Sequence, residues 1–386
     1  MTLPPGGGAT PGAAAVGAAV GAAGGAAVGA TIGVEEEFLL VDLDTAENAP
    51  MAEKVYAGLD DALRHRVRRE FRPSMVEMVT DVCAGLDELR EQLLTARRAT
   101  AAAARATGAR LVAVGATPVA EPVREPTDDT RFRRIVDHYG PIARDPAVCG
   151  CHVHVGVPDP ALAVDVCTWM RPWLPVIQAL AANSPLFEGS DTGYASWRSI
   201  QLDRWPSLGP WPHLESAEEY ENTVRALIDS GEMMDRTMLF WFSRPSAQFP
   251  TVEVRVADVC LEAADTVLIA GLVRGLVSTA ASSAFAPVVV PDVVLEAAHW
   301  NAARQGVGGT LLDPRSGRAR PAWDLIGELV ELIGPALREH GDLGVVTAEL
   351  DRVHREGTGA DRQRRLVAGA GVAGALEQVA HATVRG

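Results

Sequence analysis

Two hydrophobic rhythms alternate along the chain from Thr31 onward. The segment Ile32–Asp42 has the period of a strand, with Ile32, Val34, Phe38 and Leu40 on one face and Glu35 and Glu37 on the other. Residues 74–82 predict a second strand, and 111–116 a short buried one. The spacing of Leu89, Leu93 and Leu94 predicts a helix over 87–107. In 149–157, Val153, Val155 and Val157 face inward while His152 and His154 face the other way. The stretch 250–258 alternates as cleanly, with Val252, Val254 and Val256 on one face and Glu253 with Arg255 on the other. Helices are predicted over 161–182, 216–230, 262–285 and 322–339, followed by a helical end near 345–383 broken by Gly. The Pro-, Asp- and Arg-rich stretch 118–148 reads as a long surface loop.

Composition changes this picture at the N-terminus. Residues 2–30 carry no charged side chain and are mostly Ala, Gly and Pro, which predicts a disordered tail (1–30) before a single domain over 31–386. The tail lacks the basic flank and large aliphatic residues of a signal or membrane segment. A formal net charge of −15 repels phosphate backbones and anionic lipid, so nucleic acid and membrane are not expected partners. Cys83, Cys149, Cys151, Cys167 and Cys260 are odd in number and sparse, as in a cytoplasmic protein with reduced thiols. Lys54 is the only lysine, which excludes a lysine-bearing phosphate loop and leaves phosphate chemistry to Arg forks, backbone amides and metal ions.

Three predicted strands thus carry paired polar groups on one face each: Glu35 with Glu37, His152 with His154, and Glu253 with Arg255. One such face by itself is ordinary solvated surface. Neighbouring carboxylates on a strand, however, repel unless something neutralises them, and a Glu-rich, His-poor set suits Mg²⁺ or Mn²⁺. Zinc fits less well, because in a regular strand Cys151 points away from His152 and His154. Arg198, Arg204 and Arg255 supply cations, and the Gly- and Ser-rich run 189–199 suits a loop that closes over an anion. The segment from Trp205 to Pro212 reads as a packed rigid loop, and Cys83 and Cys167 as core.

The segments GVEEEF (33–38), SMVE (74–77), CGCHVH (149–154), DTGYASWR (191–198) and VEVRV (252–256) occur in this order. Together they resemble the glutamate-cysteine ligase type 2 family of carboxylate-amine ligases, over about 31–375. That resemblance implies an α+β catalytic domain similar to glutamine synthetase and guanidino kinases, with a curved, mainly antiparallel sheet forming a funnel and helices on its outer face. It implies ATP-dependent joining of a carboxylate to an amine through an acyl phosphate, with glutamate and cysteine as the substrates its name suggests, an activity described as weak in this subfamily. Carried over by motif, Glu35, Glu37, Glu77, His152 and Glu253 fall on metal positions. Arg198 and Arg255 fall where phosphate or a substrate carboxylate is held, so that Arg198, Glu253 and Arg255 would bind ATP with Mg²⁺ or Mn²⁺. Glu70 stands where more distant relatives carry Asp. Small-molecule substrates are the expected partners, and a homodimer is among the assemblies allowed. Two other readings stay open on the residues alone: a metal-dependent hydrolase that uses the His-x-His and Glu cluster to activate water, and a non-catalytic nucleotide- or metal-binding scaffold.

Overall fold

The computed structural model describes residues 27–283 and 287–386. The expected tail falls outside the described residues over 1–26, while residues 27–30 turn into the first strand, where the Gly29 amide donates to the Gly156 carbonyl (3.0 Å). One seven-stranded sheet organises the chain: β1 (Ile32–Asp42), β2 (Val67–Arg68), β3 (Met75–Val79), β4 (Ala109–Val112), β5 (Gly150–Gly156), β6 (Ser243–Pro245) and β7 (Thr251–Asp258). The order is β6-β7-β5-β1-β3-β2, with β4 joining β1 along Leu39–Asp42. Every pairing in it is antiparallel and the sheet is open rather than closed into a barrel, as expected for the α+β class.

Among the described residues, nine longer helices accompany the sheet: α1 (Leu86–Ala106), α2 (Thr130–Tyr139), α3 (Pro160–Met170), α4 (Ala217–Asp229), α5 (Ala263–Ser282), α6 (Asp292–Gln305), α7 (Ala322–Glu339), α8 (Leu343–Glu356) and α9 (Gly359–Thr383). The central α5 packs on α1, α3, α7, α8 and β5. It is long and apolar enough to cross a membrane, yet residues 265–277 are buried without a break inside the protein. Its Arg274 pairs with Asp342 within that core (Nε to Oδ2, 2.8 Å). Side chains of opposite strand parity therefore meet different surroundings. Ile32, Val34, Val153, Val155, Val252 and Val254 join the helices in one apolar cluster, while the intervening polar residues face a cleft.

Several elements differ from the sequence expectation. The helix expected over 161–182 is broken at Arg171–Trp173, where Pro172 and Pro175 remove backbone donors. The stretch 118–148 is not structureless but contains α2, whose Phe132, Ile135, Val136 and Tyr139 form an apolar stripe at helical spacing inside a segment rich in Pro, Asp and Arg. Helix α6 shows no such stripe, because Val293 and Trp300 are exposed among its apolar residues. The C-terminal interruption is real: Gly357 (φ +75°) ends α8, and Gly371 (φ +68°) kinks α9.

On β1, Glu36 has the phase of the apolar residues and points among the helices. There it meets Arg97 of α1 in a bidentate pair, Nε to Oε2 2.9 Å and Nη2 to Oε1 2.5 Å, and both residues are at most 2% exposed. Arg97 also donates to the carbonyls of Cys260, Leu261 and Thr383, joining β1, the start of α5 and the end of α9.

Candidate active site

Strand register brings the polar faces into one row across the sheet. Arg244 on β6 lies opposite Glu253 on β7, and Glu253 opposite His154 on β5. His152 lies opposite Glu35 on β1, Glu37 opposite Glu77 on β3, and Glu77 opposite Arg68 on β2. Directly opposed side chains on one face sit about 5 Å apart, so the alternation alone assembles the cluster.

Within the row, Glu35 is held by both histidines: His152 Nδ1 lies 3.1 Å from Oε2 and His154 Nε2 3.4 Å from Oε1. Burial pushes the Glu35 carboxyl up, but His154 and His152 outweigh it and hold it well below the usual range. Glu253 accepts from Arg244 (Nε to Oε2, 2.9 Å) and from Arg255. Burial again opposes, and the two guanidinium groups together with His154 win, keeping Glu253 ionised far below the ordinary value. The other end of the row is the reverse. Burial, and then the neighbouring charge of Glu37, pushes Glu70 up to about 8, and burial with Glu35, Glu70 and Glu37 raises Glu77 well above a normal carboxyl. His152 is depressed by burial and by Arg255, whereas His154 is raised because Glu35 and Glu253 outweigh its burial.

A second network positions Arg198. Ser196 caps the short helix Trp197–Leu202, and the Arg198 amide donates to Ser184 Oγ (3.0 Å). Asp258, at the end of β7, accepts from Ser184 Oγ (2.7 Å), Ser196 Oγ (2.8 Å) and the Asn183 amide (2.8 Å). The guanidinium lies over β5, where a Cβ on Gly150 would come within 2.4 Å of Nη2, so only glycine leaves room for it. Its buried Nε has no hydrogen-bond partner among the described residues. Such a donor is costly unless a ligand satisfies it.

These residues line two lobes that share Arg255 and Thr237. The charged lobe holds Glu35, Glu77, His154, Glu253, Arg68 and Arg244. The aromatic lobe holds Glu37, Glu70, His152 and Arg198 beneath a wall of rings. All the residues expected from sequence, Glu35, Glu37, Glu77, His152, Arg198, Glu253 and Arg255, thus line these two adjoining lobes. Arg204 does not; it bonds Asp145 at the surface, and Asp191 of the expected anion loop is tied to Arg364 of α9 (2.8 Å). Trp205, expected as loop packing, lines the aromatic lobe.

Sequence reasoning left three participants without a role. His154 was visible as a partner of His152, and it is this imidazole that groups with Glu35 and Glu253, one ligand atom of each lying within 4.8 Å of the others. Arg244 and Arg68 sit on strands of three and two residues, too short for any periodicity to show. The donor set, carboxylate oxygens with one imidazole, fits a hard divalent cation. Two observations support that fit: buried His154 Nε2 makes no hydrogen bond among the described residues and has only the ion-pair contact to Glu35, and burial together with crowding by neighbouring carboxylates, which a cation would relieve, raises Glu70 and Glu77. The arginines already on Glu253 do not exclude it, since a carboxylate offers about four acceptor sites.

Comparison with known proteins shows the family and the fold. The family model for glutamate-cysteine ligase family 2 matches residues 31–382. Proteins named "putative glutamate–cysteine ligase 2" from Salinispora arenicola and Salinispora tropica are 55% and 54% identical over 337 residues, covering 86% of this chain and 89% of theirs. Among solved structures, the glutamate–cysteine ligase of Francisella tularensis in complex with AMP matches with a TM-score of 0.70 at 13% identity, covering 92% of this chain and 89% of that one. The bifunctional glutathione synthetase of Pasteurella multocida matches at 0.65 and 14% identity, with 92% of this chain covering 52% of that one.

Proposed function

This chain belongs to glutamate-cysteine ligase family 2, and from that premise we propose that it is an ATP-dependent carboxylate-amine ligase with glutamate–cysteine ligase activity. The observation that carries the reading is the row of carboxylates flanked by arginines where the two lobes meet. Activating a carboxylate with ATP brings two anions together, so the protein's main task is to neutralise and align them. Glu35, Glu37, Glu77, His152 and Glu253 would hold Mg²⁺ or Mn²⁺, with His154 beside Glu35 and Glu253. The cation supplies charge neutralisation on the phosphates. Arg255, already oriented by Glu253, reaches both lobes and can bridge the phosphate to be transferred and the acid that receives it. Arg198 offers its unsatisfied Nε to an anionic oxygen.

In the proposed sequence, the terminal phosphoryl group of ATP passes to a carboxylate oxygen of the acid, releasing ADP and giving an acyl phosphate. The amine nitrogen then attacks the acyl carbon, the carbon–oxygen bond to phosphate breaks, and a proton is lost as the amide forms. A screen of ADP release over acid and amine pairs, with mass detection of the product, tests this. The expected result is ADP and γ-glutamylcysteine in equal amounts from glutamate and cysteine. Bond cleavage without nucleotide consumption would instead indicate the hydrolase, and nucleotide binding without turnover for any pair the scaffold.

A further inference from the structure

The aromatic lobe is walled mainly by apolar side chains. Phe71, Phe132, Trp205, Met238, Phe240 and Phe242 line it. Phe71 meets Phe132 edge to face (5.5 Å), and Trp205 meets both Phe71 (6.4 Å) and Phe240 (5.9 Å) in the same manner. These rings hold one another in place rather than collapsing into the space. Phe71, Phe132, Trp205, Phe240 and Phe242 all remain partly exposed, a concentration of apolar surface that a chain with only 5% aromatic residues gathers at one place. Arg198, whose Nε has no hydrogen-bond partner among the described residues, lines the same lobe and suits an acceptor's carboxylate. Of the proposed metal ligands, Glu35, Glu77 and Glu253 line the other lobe with His154, and Glu37 and His152 line the polar side of this one, which assigns the nucleotide phosphates to the carboxylate row and leaves the ring wall to the second substrate.

We propose that the aromatic lobe receives the amine substrate, and that this substrate is an amino acid or amine with a large apolar or aromatic body, used in preference to cysteine. The proposal rests on the ligase reading and narrows it. A small polar acceptor would reach Arg198 but leave the ring wall in water, whereas a benzyl- or isobutyl-sized body covers it.

Ligation is measured with ATP, glutamate as the acid and a panel of acceptors: cysteine, glycine, leucine, phenylalanine and phenethylamine. The expected result is a kcat/KM for the apolar acceptors at least tenfold above that for cysteine, about 1.4 kcal/mol. Phe240→Ala and Trp205→Ala should erase that preference while ATP binding by the same proteins is unchanged; Phe240→Leu, which keeps an apolar body, should retain part of it and serves if the alanine variants do not fold. A cysteine preference that both alanine substitutions leave intact would overturn the proposal while leaving the ligase reading in place. Weakened ATP binding in either variant would also overturn it, by giving the wall to adenine. Nucleotide binding without ligation of any acceptor would instead overturn the ligase reading on which the proposal depends.

Discussion

Glu36 and its two neighbours on β1 carry the same side chain and differ only in which side of the sheet they face. On the helix side, both Glu36 oxygens are saturated by Arg97, and Thr266 adds its hydroxyl to Oε1 (2.6 Å). On the cleft side, Glu35 is met by two histidines rather than a guanidinium, and burial together with the neighbouring carboxylates forces Glu70 and Glu77 well above their normal ionisation range. A buried charge that is fully matched acts as architecture, and one left short of partners is held ready for a ligand. Burial alone does not separate the two; the balance of donors around each carboxylate does.

Breaking the matched side should have the largest effect. Arg97→Ala leaves Glu36 buried without its counter-charge and removes three carbonyl anchors, a loss of roughly 3–5 kcal/mol by comparison with other buried ion pairs. Chemical denaturation, or failure to obtain soluble folded protein, reads this directly, and a variant with wild-type stability would remove the distinction between the two faces.

The cleft side should answer in activity instead. Glu35→Gln or Glu37→Gln is expected to lower ligation by roughly two to three orders of magnitude, the usual scale for removing an essential electrostatic group. Melting temperature without metal should fall for Glu35→Gln, whose ionised carboxyl is favoured by His154 and His152, and hold or rise for Glu37→Gln, whose charge repels Glu70 and Glu77. Full activity in both variants would sink the metal-site reading. A finer version concerns Arg255, which forms the same-face ion pair with Glu253 and also lines both lobes. Arg255→Lys keeps the charge but loses the planar fork, so a ligand clamp predicts a loss of about tenfold in kcat/KM with little change in stability. Wild-type kinetics would reduce Arg255 to a structural partner of Glu253.

Much of this contrast was legible in the alternation of β1, β5 and β7, because each is long enough for period two to separate its faces. The Glu36–Arg97 pair was legible too, in retrospect: each is a charged residue in apolar phase, Glu36 between Val34 and Phe38, and Arg97 one turn after Leu93. What the chain concealed was pairing over distance. Arg244 and Arg68 lie on strands too short to have a phase, and the aromatic wall is drawn from a strand, helices and loops separated by more than a hundred residues. His154 could not be preferred over His152 until register set it against Glu253.

The smallest effect should appear in the pH dependence of the metal-free protein, and its sign follows from Glu70. The folded-state value of about 8 lies above the ordinary 4.5, so the folded protein binds the extra proton between those limits. The stability contributed by that proton is complete below about 4.5 and is lost as pH rises toward 8. Glu77 is shifted in the same direction and adds to the slope. Glu35 and Glu253 are shifted downward, so their contributions fade only at more acidic pH, outside this window. The two histidines of the row move in opposite directions and oppose one another, while His299, buried and depressed to about 3, favours the folded state as pH rises from the acid side. Because these groups overlap, the informative quantity is a difference: the melting temperature of metal-stripped protein across this range, compared with Glu70→Gln. The wild type should lose several degrees more than the variant between about pH 5 and pH 8, and saturating Mg²⁺ should remove most of that difference by neutralising the row. Parallel curves for the two proteins would mean that Glu70 ionises normally and that the cleft carboxylates are already balanced without a cation.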